Sequence, residues 1–224
     1  MRMTELTSTV EDYLKVVWSF EELGTEKITT KALAKRLGVT AATVSITVRR
    51  LTEQGLLEHP RFGGISLTEA GRRHAVRMVR RHRLIETFLV ESLGYGWDEV
   101  HDEAEILEHA VSDRFLDRID ELLGHPERDP HGDPIPSRAG ELEHESSLPL
   151  VEVKAPGRAR VVRISDDDAE LLRYFAERGL VPGATIELAA PDPFADGVIV
   201  KVADARESFT LGPAAAHSVR VLPA

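Results

Sequence analysis

The chain has 224 residues, of which 42% are hydrophobic, and its formal net charge is −10. This length is enough for one large or two to three small domains, each with a buried core. The absence of cysteine excludes disulfides, zinc-thiolate sites and thiol nucleophiles. No apolar run approaches the roughly 20 residues that a membrane span requires, and the first residues lack the layout of a signal peptide. We therefore expect a cytoplasmic protein.

The acidic net charge is distributed unevenly along the chain. Residues 27–83 hold thirteen Lys or Arg and three Asp or Glu, a net charge of +10, so the remaining residues carry −20. A basic segment on an otherwise acidic protein is typical of a surface that binds nucleic acid. The run RRHAVRMVRRHR is also compatible with an ordinary solvated helix, so its charge alone does not establish a binding surface.

The N-terminal part of the sequence predicts three helices and a short hairpin. Apolar residues recur with the helical period over residues 9–23, and two further helices are expected over 29–37 and 40–54. Short apolar segments at 56–58 and 65–67, separated by HPRFGG, predict a hairpin. This order of elements is that of a winged helix-turn-helix. The expected helix caps and glycine stops are Thr9, Thr29 or Thr30, Thr40, Gly24, Gly38 and Gly55.

The rest of the chain changes from helices to strands. A long helix is predicted over 69–93, and one or two more over 97–123. Residues 125–149 contain five prolines and two glycines without apolar periodicity, which indicates a loop or linker rather than core. Beyond it, VEVKA, RARVVRI, TIELAA, GVIVKVA, FTLG and SVRVLP read as short strands around a helix over 167–178, which suggests a small barrel. The expected class is mainly α with a small β portion.

The third predicted helix has the pattern of a DNA recognition helix. Val44, Val48 and Leu51 form an apolar inner face, while small and polar residues leave a slim outer face for the major groove. Arginines after this face can reach phosphate oxygens or a guanine, and helix N-termini offer amides to phosphates. The candidate DNA contacts are Thr30, Lys31, Thr40, Ala42, Thr43, Ser45, Thr47, Arg49, Arg50 and, at the wing, Arg61.

Two groups of metal-binding side chains follow in the predicted helices. Glu105, Glu108 and His109 are three and four residues apart, so they share one helix face, with His101 one turn earlier. A second pair, His82 and Glu86, occurs on the preceding helix. Oxygen and imidazole donors without sulfur suit Mn²⁺, Fe²⁺ or Co²⁺ better than Zn²⁺. The alternative is that these side chains are simply solvated, which is common for a single glutamate.

Six motifs are specific as a set: VEDYLKVVW, AKRLGVTAATVSITVRRLTEQGLL, SLTEAGRR, RRHRLIETFL, VHDEAEILEHAVSD and GDPIP. With these motifs the chain resembles the diphtheria toxin repressor family of bacterial metal-dependent regulators, along almost its whole length. The resemblance implies a winged helix-turn-helix domain at 1–72, a helical metal-binding and dimerisation domain at 73–124, a linker at 125–149 and an SH3-like barrel at 150–224.

Carried over to this sequence, the resemblance implies a primary metal site of Asp12, Glu105, Glu108 and His109. Iron-responsive members generally have Met in place of Asp12 and Cys in place of Glu105, so the two carboxylates indicate the manganese-responsive branch. Short manganese regulators without a barrel have a further Glu where this chain has Lys15, so we expect two separated sites and two ions per subunit. The resemblance implies an ancillary site of His82, Glu86, His101 and, from the barrel, Asp168 and Glu170.

The function that the resemblance implies is repression of manganese homeostasis genes. Mn²⁺ would act as co-repressor by fixing the spacing of two recognition helices in a homodimer on palindromic operator DNA. An iron-dependent repressor of the same family, using Fe²⁺, is the alternative, and Co²⁺ is a possible surrogate ion. A metal-dependent hydrolase is the alternative from another class, but the sequence has no HExxH, nucleophile elbow or phosphate loop, so we expect no enzyme. A repressor that senses an organic ligand also remains open.

Overall fold

The computed structural model describes residues 6–24, 28–142, 146–190, 196–203 and 205–224. Helical residues outnumber strand residues among them, which confirms the predicted class. The chain divides into two units, and the division falls inside one long helix. The first unit is Met1–His82 with Pro136–Glu141, and the second is Arg83–Ile135 with Leu142–Ala224.

Three helices open the first unit, and threonines begin each of them. The Thr29 hydroxyl accepts a hydrogen bond from the amide of Ala32, and the Thr40 hydroxyl accepts one from the amide of Thr43, both at 3.1 Å. The first helix begins one residue after Thr7 rather than at the expected Thr9. The three helices are α1 (Ser8–Glu22), α2 (Thr30–Arg36) and α3 (Ala41–Glu53).

The wing is a two-stranded hairpin of β1 (Leu57–Glu58) and β2 (Ser66–Leu67), which pair in antiparallel register. The Glu21 carboxylate of α1 accepts a hydrogen bond from the amide of Leu67 at 2.8 Å and pairs with Arg72, so it connects α1 to the base of the wing. The predicted hairpin is therefore confirmed, and the contacts of the Glu21 carboxylate hold it beside α1.

The core of the first unit lies between these elements. α3 packs on α2, and Leu33 of α2 and Val44 and Leu51 of α3 are fully buried. Burying an aliphatic side chain of this kind stabilises the fold by about 1.5–3 kcal/mol. Gly38, at a φ of +65°, makes the tight turn between the two helices.

Three helices follow the wing, and the first of them begins in the first unit and ends in the second. The Thr68 hydroxyl accepts from the amide of Gly71 at 3.0 Å and so caps a long helix that begins at the next residue. The Ser112 hydroxyl caps the last of the three helices through the amide of Phe115. Their bounds are α4 (Glu69–Leu93), α5 (Val100–Leu107) and α6 (Asp113–Leu122), and their buried core residues are Ile85, Leu89, Val100, Ala104 and Leu116.

The C-terminal part of the second unit is a six-stranded antiparallel sheet in the order β3-β8-β4-β5-β6-β7. Leu172 and Phe175, from the first of the two helices of this small domain, lie in its core. The strands are β3 (Leu148–Pro149), β4 (Gly157–Ile164), β5 (Thr185–Ala189), β6 (Val198–Val202), β7 (Phe209–Leu211) and β8 (Val219–Pro223), and the helices are α7 (Ala169–Ala176) and α8 (Pro213–His217).

Two local predictions for this domain were wrong. VEVKA was expected to be a strand, but Leu150–Glu152 form a turn of 3₁₀ helix, with the Leu150 side chain buried in the core. The short helix α8 was not predicted, because PAAAH is too short to show a helical period. Pro213 at its first turn is nevertheless the residue that starts such a helix most easily.

The described residues of the segment over 125–149, which are 125–142 and 146–149, have little regular structure, as expected, but its middle is buried rather than solvated. The carbonyl of His131 accepts a hydrogen bond from the amide of Ile164 at 2.9 Å, which fastens the segment to the end of β4. Gly132, at a φ of +88°, lies directly against the carbonyl of Val162. Ile135 belongs to a buried cluster with Leu84 of α4 and Ile119 of α6. This segment therefore contributes to the core.

Within the described parts of the chain, we find no helix that combines the length and the apolar character needed to cross a membrane.

Candidate metal centres and DNA-binding face

A polar cluster in the second unit joins the helices to the barrel. His101 of α5 lies with its Nδ1 2.8 Å from a carboxylate oxygen of Asp166, which follows β4, and 3.6 Å from a carboxylate oxygen of Glu86 on α4. Glu86 is buried. The ligand atoms of Glu86, His101 and Asp166 lie within 4.8 Å of one another. We call these three residues, together with Asp129 and His131, the ancillary cluster.

Asp129 and His131 come from the segment that was expected to be a linker. Both are buried, and their ligand atoms lie within 4.8 Å of those of Glu86. The Nε2 of His131 lies 2.6 Å from the carbonyl oxygen of Trp97, to which it can donate a hydrogen bond. That contact directs Nδ1 toward Glu86, at 3.8 Å, and Nδ1 makes no hydrogen bond within the described residues. A buried imidazole nitrogen directed at a buried carboxylate fits a bound cation.

The carboxylates of the cluster control the charge of both histidines. Burial by itself lowers the pKa of His101, but the hydrogen bond to Asp166 and the nearby Glu86 carboxylate raise it to about 11. Burial also lowers the pKa of His131, but the negative charges of Glu86 and Asp129 outweigh this effect and raise the pKa to about 10. Burial acts to raise the pKa of Asp166, yet the hydrogen bond from His101 holds it below its usual value. These raised pKa values keep both imidazoles protonated at neutral pH in the metal-free protein, and binding of a cation to their nitrogens would require loss of those protons.

Asp129 lies deeper in a charged network. Burial first, and then the Asp133 and Glu86 carboxylates, raise its pKa well above the usual range, against the opposing charge of Arg83. The Arg83 guanidinium lies 3.7 Å from both Asp129 and Asp133, and Arg163 pairs with Asp133. The guanidinium groups therefore compensate part of the negative charge gathered around Glu86, and a divalent cation would compensate more.

The barrel residue in this cluster is Asp166 instead of the expected Asp168 and Glu170. The Asp168 carboxylate accepts hydrogen bonds from the amides of Glu170 and Leu171, at 3.0 and 3.1 Å, and so caps α7. The Glu170 side chain is exposed. A cap residue directs its carboxylate at its own helix, which makes it unavailable to His101. His82, the remaining expected ligand, is buried on α4 one turn before Glu86 and belongs to the first unit.

Three of the four residues expected to form the primary site lie on α5 and just beyond it. Glu108 follows the last residue of α5 and is completely buried, and its carboxylate lies 3.6 Å from Nε2 of His109. Glu105 is partly exposed, with a carboxylate oxygen 3.8 Å from Nε2 of His101. A buried carboxylate beside an imidazole is a donor set that suits a hard divalent ion. Asp12 lies half-buried on α1 in the first unit, and its participation stays a prediction.

The outer face of α3 carries most of the expected DNA contacts. The structure leaves Thr40, Ala42, Thr43 and Ser45 exposed, as expected. Thr47 is only 9% exposed, which corrects its assignment to the outer face. It lies three residues after Val44, on the inner side of the helix. The other predicted contacts, exposed or partly exposed, are Thr30, Lys31, Arg49, Arg50 and Arg61.

The residues of the ancillary cluster that the sequence reasoning missed are Asp129, His131 and Asp166. The signal was present, since DPHGD places two carboxylates and an imidazole within five residues. It was obscured because the surrounding prolines and glycines indicate a loop, and loops are normally solvated. Asp166 stands in a run of three aspartates, and the sequence does not tell which of them turns inward.

Comparisons with known proteins cover nearly the whole chain. Residues 5–65 match the family described as iron dependent repressor, N-terminal DNA binding domain, and residues 68–137 match iron dependent repressor, metal binding and dimerisation domain. Residues 148–223 match the FeoA domain. The iron-dependent repressor IdeR of Mycobacterium leprae is 31% identical over 98% of this chain and 99% of its own length.

Solved structures with the same fold include manganese regulators. One, described as a manganese-dependent transcriptional repressor in complex with manganese, is 47% identical, with a TM-score of 0.91 over 96% of this chain and 100% of that chain. The manganese regulator SloR is 34% identical, with a TM-score of 0.82 over 98% of this chain and 100% of that chain.

A winged helix, a helical domain with buried carboxylates and imidazoles, and a small barrel define a metal-dependent transcriptional repressor. The chain belongs to the diphtheria toxin repressor family. Its similarity to the manganese-responsive members that carry a C-terminal barrel extends over both units.

Proposed function

We propose that this protein is a manganese-dependent repressor whose metal-loaded homodimer binds palindromic operator DNA. The observation that carries the proposal is the fully buried Glu108 carboxylate, which lies 3.6 Å from Nε2 of His109. In the proposed site, Glu105 and Asp12 complete a donor set that contains no sulfur. Carboxylate and imidazole donors suit Mn²⁺, Fe²⁺ or Co²⁺, and the lack of the sulfur donors that softer ions prefer supports Mn²⁺. The solved manganese repressor at 47% identity supports the same ion.

In this proposal, Asp12 is the ligand that connects the metal to DNA binding. Asp12 lies on α1, and α1 is joined to the base of the wing through Glu21. A ligand from α1 in the primary site would therefore hold the DNA-reading elements in the orientation that two half-sites of an operator require. The bound ion would supply positive charge to an otherwise unfavourable group of carboxylates. An ion that binds chiefly this state shifts the population toward it, and DNA in turn raises the affinity for the ion.

The ancillary cluster is proposed as a second ion site that fastens the barrel to the helical domain. Its ligands would come from α4 and α5 through Glu86 and His101, and from the end of β4 through Asp166, with His82 one turn before Glu86. His131 and Asp129 offer two further donors from the buried segment. Since the recognition helix is in the other unit, loss of this site should weaken DNA binding less than loss of the primary site does.

An iron-dependent repressor is the second candidate. It is favoured by the identity of 31% with IdeR of Mycobacterium leprae, along 98% of this chain. The two candidates share the architecture and differ in the ion, so a direct comparison of Mn²⁺ and Fe²⁺ separates them. Among the alternatives, an organic-ligand repressor predicts DNA binding that does not respond to either ion, and a hydrolase predicts turnover of a phosphoester.

The experiment that tests the proposal is capture of fragmented genomic DNA from the source organism by chelator-stripped protein. Three reactions contain no metal, Mn²⁺, and Fe²⁺ under anaerobic conditions. Enrichment of a palindrome with Mn²⁺ and much less with Fe²⁺ is expected. Equal enrichment with both ions would favour the iron alternative or selection by metal supply, and enrichment without metal would refute the co-repressor mechanism.

A further inference from the structure

The recognition helix carries one large apolar side chain on its outer face. Ile46 is 72% exposed, whereas the other large aliphatic residues of α3, Val44, Val48 and Leu51, are fully buried. A single exposed aliphatic residue is ordinary on a protein surface and carries no inference by itself. Its meaning depends on the side chains around it.

The hydroxyl groups near Ile46 are already used within the helix. Ser45 Oγ donates to the carbonyl of Ala41 at 2.9 Å. The hydroxyls of Thr40 and Thr43 lie 2.9 Å apart, and that of Thr40 also accepts from the amide of Thr43. What the N-terminal half of α3 presents outward is therefore largely methyl groups. Ala42 and Thr43 lie one turn before Ile46, so their methyl groups and the isoleucine form one apolar strip.

The long hydrogen-bond donors of this face begin only after the strip. Arg49 is the next outward residue on the helix, and its Nε donates to the carboxylate of Glu53 at 3.1 Å. Arg49 is thereby directed along the helix toward its C-terminal end. The strip itself can therefore make aliphatic contacts, rather than hydrogen bonds, with the floor of a DNA groove.

We propose that Ile46, supported by Ala42 and Thr43, reads thymine through its 5-methyl group and is a specificity-determining residue for the operator. The 5-methyl group of thymine is the apolar feature that a base pair presents in the major groove, and no other base carries it. This inference rests on the proposed function, because α3 must enter the major groove. It adds the chemical class of base that the helix selects.

The test begins with a library of random duplexes selected on the full-length protein with Mn²⁺. Thymines that selection fixes are then replaced one at a time by deoxyuridine, which removes only the methyl group. At the thymines that face Ile46, each replacement should lower the affinity of the wild-type protein about fourfold, the value of one buried methyl group. Replacement elsewhere in the duplex should have little effect.

Variants at Ile46 identify the residue that senses the methyl group. Ile46→Ala should bind the thymine duplex less tightly and should no longer distinguish it from the deoxyuridine duplex. Ile46→Gln should shift the selected base toward adenine, since an amide can make two hydrogen bonds to that base. Val181→Ala, at an exposed aliphatic position of the barrel domain, is the matched control and should keep the full preference for thymine.

The outcomes separate this inference from the proposed function. If the wild-type protein binds the selected duplex only with Mn²⁺ but binds thymine and deoxyuridine versions equally, the inference on Ile46 is overturned while the proposed function stands. Retention of the wild-type preference by Ile46→Ala also overturns it. If no duplex is selected with Mn²⁺, the proposed function fails and the inference fails with it.

Discussion

Replacement of Asp166 by Ala should remove the barrel's contribution to the ancillary cluster. Its carboxylate lies 2.8 Å from Nδ1 of His101, and the two side chains are 18% and 30% exposed. A hydrogen bond between charged groups stabilises a protein by roughly 1.5–3 kcal/mol, and partial exposure favours the lower end. We therefore expect the metal-free variant to lose about 1.5 kcal/mol in the free energy of unfolding. Loss of a ligand or its partner should also weaken binding of the second ion at least about tenfold.

Asp168→Ala is the matched control, two residues away. That carboxylate caps α7 through the amides of Glu170 and Leu171, so its removal should cost about 1 kcal/mol of stability. It should leave the affinity for both ions unchanged. Electron paramagnetic resonance of free Mn²⁺ during a titration gives the two affinities, and urea unfolding gives the stabilities. Loss of the second ion in Asp168→Ala, or its retention in Asp166→Ala, would refute the reasoning.

The pH dependence of this pair follows from the two pKa shifts. His101, whose pKa is raised from 6.5 to about 11, stabilises the folded protein fully below pH 6.5 and loses that contribution as the pH rises toward 11. Asp166, whose pKa is lowered from 3.8, contributes fully above that value and loses it on acidification. In the metal-free protein, the destabilisation by Asp166→Ala should therefore be largest between about pH 4 and 6.5. A difference that grows above pH 8 would contradict this assignment.

Five further variants test the two candidate sites, and two of them serve as comparisons. Asp12→Ala should abolish Mn²⁺-stimulated DNA binding while the second ion still binds, and an unchanged metal response in DNA titrations would exclude Asp12 as the coupling ligand. His82→Gln should weaken Mn²⁺ activation of DNA binding less than Glu108→Gln does. Equal losses would show that the ancillary site matters as much for DNA binding as the primary site. Gly132→Ala, at a φ of +88° with its new Cβ against the carbonyl of Val162, should lower the unfolding free energy by roughly 1–3 kcal/mol and weaken second-ion binding. Gly124→Ala, at a φ of +72° in open space, should cost about 1 kcal/mol and leave ion binding unchanged.

The winged helix was predictable because its signals are local. Thr29, Thr40 and Gly38 act on residues within one turn of themselves, and the cap bonds and the positive φ are found where the sequence indicates them. The inner face of α3 follows equally from the helical period. Thr47 was misassigned because a threonine is polar by type, although its position relative to Val44 places it inward.

The ancillary cluster was predictable only in part, because it depends on contacts far apart in the sequence. Glu86 and His101 lie on helices with clear periods, and their spacing identified them. His131 is brought to Glu86 by a hydrogen bond to Trp97 and by the attachment of its segment to β4, neither of which leaves a local pattern. The choice of Asp166 over Asp168 likewise depends on where α7 begins.

The central claim is that Mn²⁺ controls DNA binding through the site that contains Glu108. The most direct measurement is the affinity of chelator-stripped protein for one enriched genomic fragment, without metal, with Mn²⁺ and with Fe²⁺ under anaerobic conditions, for the wild type and for Glu108→Gln. We expect tight binding only by the wild type with Mn²⁺, and weak binding by Glu108→Gln under every condition. Equal affinity with and without Mn²⁺, or a Glu108→Gln variant that responds like the wild type, would contradict the claim.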